Sequence, residues 1–172
     1  MRVELIKTYQ FEAAHSRGGK LHGHSYIIEI KCAGKCDARL GWLVDYGDIT
    51  NAFDPIYRML DHWRLEDVEG LQDTSIAGVE AWLHARLSGV VPQYHSVRVR
   101  IGGDCAFTAR HIMERDAFGE PGRVRFGFES AHLLPNVPAE KKCRRMHGHS
   151  FQVEVAAGDL PALEPVLRSV YD

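Results

Sequence analysis

"KLHGHSYIIEI", residues 20–30, sets two histidines one residue apart at the head of an apolar run, and "MHGHSFQVEV", residues 146–155, repeats the arrangement. On a strand, residues i and i+2 project from one face, so His22 and His24 share a face with Tyr26, Ile28 and Ile30. Each motif follows a second repeated word. "FEAAH" at 11–15 matches "FESAH" at 128–132 in four of five places, and "HGHSYIIEI" matches "HGHSFQVEV" in five of nine. The chain therefore carries one unit twice, the second time in part. In "ELIKTYQFEAAH" the residues Leu5, Tyr9, Phe11, Ala13 and His15 fall on one strand face, and "RGGK" reads as a tight glycine turn. The first copy thus opens with an antiparallel hairpin.

Helical patterns follow. After a short strand "GWLVDY", residues 48–62 place Ile49, Phe53, Ile56, Tyr57 and Leu60 along one face, with Asp48 as N-cap and a kink at Pro55. A second helix spans about 74–88, capped by Asp73 or Thr74, striped by Ile76, Val79, Leu83 and Leu87, and ended by Gly89. "YHSVRVRI" alternates as a strand, with Arg98 and Arg100 on its exposed face, and a further short strand is expected near 106–109. These observations divide the chain into a first repeat at 1–113, a polar linker at 114–123 and a partial second repeat at 124–172. The second repeat reads as strand, loop, strand and one short helix.

Composition narrows the function classes. With 45% apolar and 26% charged residues the chain can bury a core, and a net charge of -2 gives no global attraction to nucleic acid or to an anionic membrane. The N-terminus alternates polar and apolar residues where a signal peptide would be continuously apolar, and no run reaches membrane-span length. A cytoplasmic protein is expected. Cys32, Cys36, Cys105 and Cys143 form no C-x-x-C pair and no zinc-knuckle spacing, so free thiols are the default. Trp42, Trp63 and Trp82 are read as core or interface packing.

Three imidazoles leave one position of a tetrahedral zinc open, the arrangement of a catalytic site. The first copy would use His15, His22 and His24, and the second His132, His147 and His149. A single H-x-H pair is more simply a surface or hydrogen-bonded pair. The same trio twice, each time behind F-E-x-A, favours metal. A cupin barrel competes, because both copies also spell H-x-H-x4-E through Glu29 and Glu154. On an unbroken strand those glutamates face away from the histidines, and no later glycine-rich, histidine-bearing strand supplies the remaining ligands.

Over residues 3–105 the first copy resembles the 6-pyruvoyl-tetrahydropterin and 6-carboxy-tetrahydropterin synthase family, through "FEAAH", "LHGHSY", "GWLVDYGDI", "LDH" at 60–62 and "DTS" at 73–75. The second copy resembles the family's front half through "FESAHLLPNVPAEKKCRRMHGHSF", and the bacterial carboxy-tetrahydropterin branch resembles it most. The resemblance implies an α+β T-fold, an antiparallel sheet with two helices on one face, whose sheets join into an oligomeric barrel. It implies Zn2+ as cofactor and 7,8-dihydroneopterin triphosphate as substrate, with no nucleic-acid or membrane partner and a homo-oligomeric assembly. The product would be 6-carboxy-5,6,7,8-tetrahydropterin or 6-pyruvoyl-tetrahydropterin. Carried over residue by residue, the acid-base cysteine is Cys143, four residues before His147, and the activating pair is Asp61 and His62.

Departures accompany the matches. Gly18 stands four residues before His22, and the loop between His15 and His22 has six residues where the second copy has fourteen. Ile101 and Ile76 stand where the family carries glutamates, with Asp104 the nearest acid. Neither copy is complete alone. One reading completes the second zinc site and Cys143 with Asp61 and His62 of the same or a neighbouring chain. The other is a zinc-binding T-fold protein that is catalytically silent or adapted to another ligand. "KKCRR" around Cys143 could acidify the thiol and receive a triphosphate, or be an ordinary solvated loop. Asp61 and His62 could be helix-end residues near the negative end of the dipole, but their family-matching position after "ML" favours the catalytic machinery.

Overall fold

The computed structural model describes residues 2–102 and 123–156, together with residues 162, 165, 166 and 169. The described residues form two units, one of 2–102 with 131–149, the other containing 123–130 and 150–156. The expected strand near 106–109, most of the expected linker and most of the last expected helix lie outside the described residues.

Two long strands organise the first unit. β1 (Arg2–Arg17) and β2 (Lys20–Lys35) pair antiparallel along their whole length, from Arg2 opposite Lys35 to Arg17 opposite Lys20. Gly18 and Gly19 close the hairpin at φ +59° and +76°, the left-handed backbone a two-residue turn of this hand requires. α1 (Tyr46–Leu60), the two-residue β3 (Trp63–Arg64), α2 (Ile76–Leu87) and β4 (Tyr94–Gly102) follow. The sheet runs β3-β1-β2-β4, with β4 antiparallel to β2 and β3 parallel to β1 at Ala13 and Ala14.

The period-2 pattern of the hairpin supplies one wall of the core. Phe11, Ala13, Tyr26, Ile28, Ile30 and Val99 from the strands share one buried cluster with Ile49, Phe53, Leu60, Val79, Leu83 and Leu87 from the helices, so both helices cover the same sheet face. Phe11 stacks on Tyr26, directly opposite in register, at 4.8 Å between centroids. Each fully buried Phe, Ile or Leu contributes on the order of 2 kcal/mol from area removed from water.

Several local expectations are corrected. α1 is capped by Asp45, whose carboxylate accepts from the Gly47 N–H at 2.5 Å, and Asp48 sits in the first turn. "GWLVDY" is a loop: the Asp37 side chain accepts from the N–H of Arg39 and Leu40 at 2.8 Å, and Gly41 takes φ +79°. This local turn removes the backbone from strand pairing. α2 is capped by Ser75, which accepts from Gly78 N–H at 3.1 Å. Ile76 leaves the core stripe, and Trp82 is buried beside Val79 and Leu83. Gly89 ends the helix region at φ +80°, as the sequence suggests. Trp42 is exposed. Among the described residues no helix is long and apolar enough to cross a membrane.

The second motif forms a hairpin of its own, β5 (Arg123–His132) paired with β6 (His147–Ala156). In its outer part Phe128 stacks on Phe151 at 5.0 Å, and Ser150 donates to Glu129 at 3.1 Å.

Candidate active site and metal centre

α1 ends at Leu60, and the next two residues are turned out of the helix. Asp61 keeps one helical bond, its N–H to Tyr57 C=O at 3.0 Å. His62 then takes φ +60°, a conformation that costs a non-glycine residue about 1 kcal/mol or more. Two bonds to β1 hold it there: His62 N–H donates to Glu12 C=O at 2.6 Å, and Glu12 N–H donates to Asp61 Oδ1 at 3.2 Å. The side chains face each other, with His62 Nδ1 at 2.8 Å from Asp61 Oδ1, and both are more than nine-tenths buried.

Burial alone would raise the Asp61 carboxyl. Hydrogen bonds from His62, Lys142 and the Glu12 N–H outweigh it and hold the group down at about 2. Asp61 is therefore a carboxylate under all ordinary conditions, and it fixes the His62 tautomer by accepting from Nδ1. Tyr57 is pushed up to about 12 by burial and by the neighbouring Asp61 and Glu12 carboxylates.

The tip of the second hairpin meets this pair inside the first unit. A 3-10 turn at Lys142–Arg144 carries Cys143, whose carbonyl accepts from Leu134 N–H at 2.9 Å. Donor atoms of His62, Cys143 and His147 lie within 4.8 Å of one another, and those of His132, His147 and His149 do likewise. His147 belongs to both groups. The structure thus brings together Asp61 and His62 of the first repeat with Cys143 and the histidine trio of the second, within one chain.

The donor set suits a metal ion. His147 is fully buried; its Nδ1–H donates to Arg145 C=O at 2.7 Å, while Nε2 is buried and has no hydrogen-bond partner among the described residues. A buried lone pair with nothing to accept costs on the order of 1–3 kcal/mol, and a cation is the ligand an unprotonated imidazole nitrogen takes. His149 gives Nδ1 to Glu12 Oε2 at 2.9 Å, so its tautomer too is set by an outer partner. Burial, with neighbouring imidazoles, lowers the pKa of His132; burial also lowers that of His147 against the pull of the Arg145 carbonyl. Both shifts favour the neutral imidazole, the form that binds a metal.

The first trio is more open. His15 Nε2 and His24 Nε2 are 3.1 Å apart, close to the edge of about 3.3 Å expected for two nitrogens on a tetrahedral zinc. The His22 ring stands 5.9 Å from His15 and 6.3 Å from His24, and these three donors do not gather as tightly as the second trio. A cleft of about 610 Å³ opens on them, walled by Tyr26, Ile76, Ala77 and Ile101. Both isoleucines singled out in the sequence therefore line one cleft.

Three sets of contacts at the site were not anticipated. Glu12 accepts the Ser25 hydroxyl at 2.6 Å and also receives His149; in the second hairpin Glu129 and Ser150 repeat the Glu–Ser bond. The signal was present, since both copies spell F-E before the histidine and H-G-H-S after it. Lys142 and Arg145 reach back to Asp61 and His62. The two motif glycines also meet: a side chain on Gly148 would run into the backbone of Gly23, so only glycine admits this approach.

Comparisons with known proteins bear on the family and the fold. A family model described as 6-pyruvoyl tetrahydropterin synthase matches residues 4–111 and 122–164. A 6-carboxy-5,6,7,8-tetrahydropterin synthase from Synechocystis sp. is 30% identical over 123 residues, covering 64% of this chain and 94% of that protein. One from Aquifex aeolicus is 27% identical over 89 residues, 40% of this chain and 55% of that protein, so the match spans about half of that relative. Among solved structures, a 6-pyruvoyl tetrahydropterin synthase of Caenorhabditis elegans has a TM-score of 0.51 at 16% identity, covering 59% of this chain and 96% of that one, a likeness of fold.

Proposed function

The chain belongs to the 6-pyruvoyl tetrahydropterin synthase family and has its T-fold, and from that premise we propose that it is a zinc-dependent lyase acting on 7,8-dihydroneopterin triphosphate. The name of the Synechocystis relative favours 6-carboxy-5,6,7,8-tetrahydropterin as the product. The observation that carries the reading is the convergence of His62 with Cys143 and His147, with Asp61 behind His62.

The geometry supports the following roles. His132, His147 and His149 would hold zinc, which when bound supplies a Lewis acid for a substrate hydroxyl. Cys143 exchanges protons with the substrate carbons. His62 takes the thiol proton and returns it, its imidazolium stabilised by the buried Asp61 carboxylate. Glu12 orients His149. Among the described residues β4 is an edge strand of its sheet, which suits addition of strands from other copies in a barrel-forming homo-oligomer.

A second reading applies to the first trio. Its cleft is walled by Ile76 and Ile101, which offer no acceptor to the donor groups of a pterin ring, and no thiol stands at Gly18. Any metal at His15, His22 and His24 would then be catalytically silent or serve another ligand. The cupin reading is set aside: Glu29 faces Arg100 at 3.5 Å, away from the histidines.

The test is direct. Zinc-loaded protein is incubated with 7,8-dihydroneopterin triphosphate, and substrate and products are followed by mass spectrometry with Cys143→Ala in parallel. Product that depends on Cys143 supports the lyase, and its mass names the reaction. Intact, metal-bound protein that leaves the substrate unchanged would favour the silent reading.

A further inference from the structure

Three of the four cations in "KKCRR" bond to groups of the chain itself. Arg144 donates to the carbonyls of Pro135 and, at 3.2 Å, Val137, which ties the loop to itself. Lys142 pairs with Asp61 Oδ2. Arg145 makes the most contacts: its Nε donates to His62 C=O at 2.9 Å, Nη2 lies 3.4 Å from Asp61 C=O, and the guanidinium lies 4.1 Å from the centre of the Trp63 ring. One side chain therefore grips residues 61, 62 and 63 in succession. The backbone carbonyl of the same residue accepts from His147 Nδ1 at 2.7 Å.

His62 sits at positive φ, so its ring direction depends on restraints outside its own backbone preference. Its N–H is held by Glu12, on β1. Its carbonyl is held by Arg145, on the loop that carries Cys143. The residue that anchors the proton acceptor is thus two positions from the thiol and two from the metal-ligating imidazole.

We propose that Arg145 is a positioning residue, which holds His62 in its left-handed conformation so that the imidazole faces Cys143 and His147; the inference rests on the roles given to those residues above. The guanidinium does this through geometry as well as charge. A lysine ammonium at the same place is a compact point donor, unable to span two carbonyls while stacked on an indole.

Arg145→Ala and Arg145→Lys in the full-length, zinc-loaded protein test it. Steady-state kinetics with 7,8-dihydroneopterin triphosphate should show kcat reduced about ten- to hundredfold in both variants, with KM within about twofold, as expected when a catalytic group is misplaced. Metal content should be unchanged. The His62 imidazole signals in proton NMR, identified by their loss in His62→Ala, should shift or broaden. Unchanged His62 signals in folded Arg145→Lys would overturn the inference, as would a loss of kcat that only tracks loss of metal. If Arg145→Ala does not fold, Arg145→Lys carries the test. If the unaltered protein shows no turnover, the lyase reading falls, and the His62 signals still decide the role of Arg145.

Discussion

Glu12 and His149 stand 2.9 Å apart, carboxylate to Nδ1, and each comes from a different copy of the duplicated motif. The carboxylate that bonds Ser25 within its own hairpin also orients an imidazole of the other. Glu12 is mostly buried in this contact, with its side chain 13% exposed. Glu12→Gln keeps the shape and removes the charge. Metal affinity, read by competition with a chromophoric chelator, should fall about ten- to hundredfold, the usual effect of losing an outer-shell carboxylate. Unchanged affinity would mean that His149 is not a ligand or needs no orienting.

Asp61 makes a pH prediction. Its folded-state pKa is depressed to about 2, from an ordinary value of 3.8. A depressed carboxyl contributes stability that is fully present above the unfolded-state value and is lost as pH falls through the folded one. In metal-free protein the difference between the unaltered chain and Asp61→Asn should be about 2 kcal/mol at neutral pH. It should shrink between about pH 4 and pH 2, followed by urea unfolding. A difference independent of pH would assign the effect to packing.

The histidines separate by metal stoichiometry. His147→Ala should remove the metal of the second site, because His147 is shared by both donor groups there. His22→Ala should lower zinc content only if the first trio also binds. Elemental analysis of the two variants and of the double variant decides how many sites fill.

Gly148→Ala tests the contact between the motifs. The added methyl would meet the backbone of Gly23, which cannot rotate out of the way. The cost should be at least about 1–3 kcal/mol, read as a lower melting temperature. Turnover should fall further than stability does, because displacing the hairpin tip carries Cys143 away from His62. An unaltered melting temperature would show that the approach relaxes freely.

Much of this was legible in the strands and helices. Alternation in 2–17 and 20–35 set the hairpin and the face of each histidine, and the glycines at 18 and 19 set its turn. Helical periodicity placed the core face of α1, while the cap was misread as Asp48 because "GWLVDY", which holds Asp45, was read as strand; the loop there turns on Asp37 and Gly41. Strand propensity in "GWLVDY" lost to that turn for the same reason. The two histidine trios were visible as motifs. The grip of Lys142 and Arg145 on Asp61 and His62 was not, because it joins residues more than 80 positions apart and a basic run looks the same in sequence whether it faces water or a carbonyl.

Placing Asp61 and His62 opposite Cys143 on a single chain changes the order of the event that builds the site. Two halves on separate molecules would meet at a rate set by protein concentration. Joined covalently, they meet at an effective concentration that tethering commonly puts in the millimolar range, whatever the dilution. Specific activity per chain should accordingly hold constant at protein concentrations where an intermolecular pairing of the same residues would already have come apart.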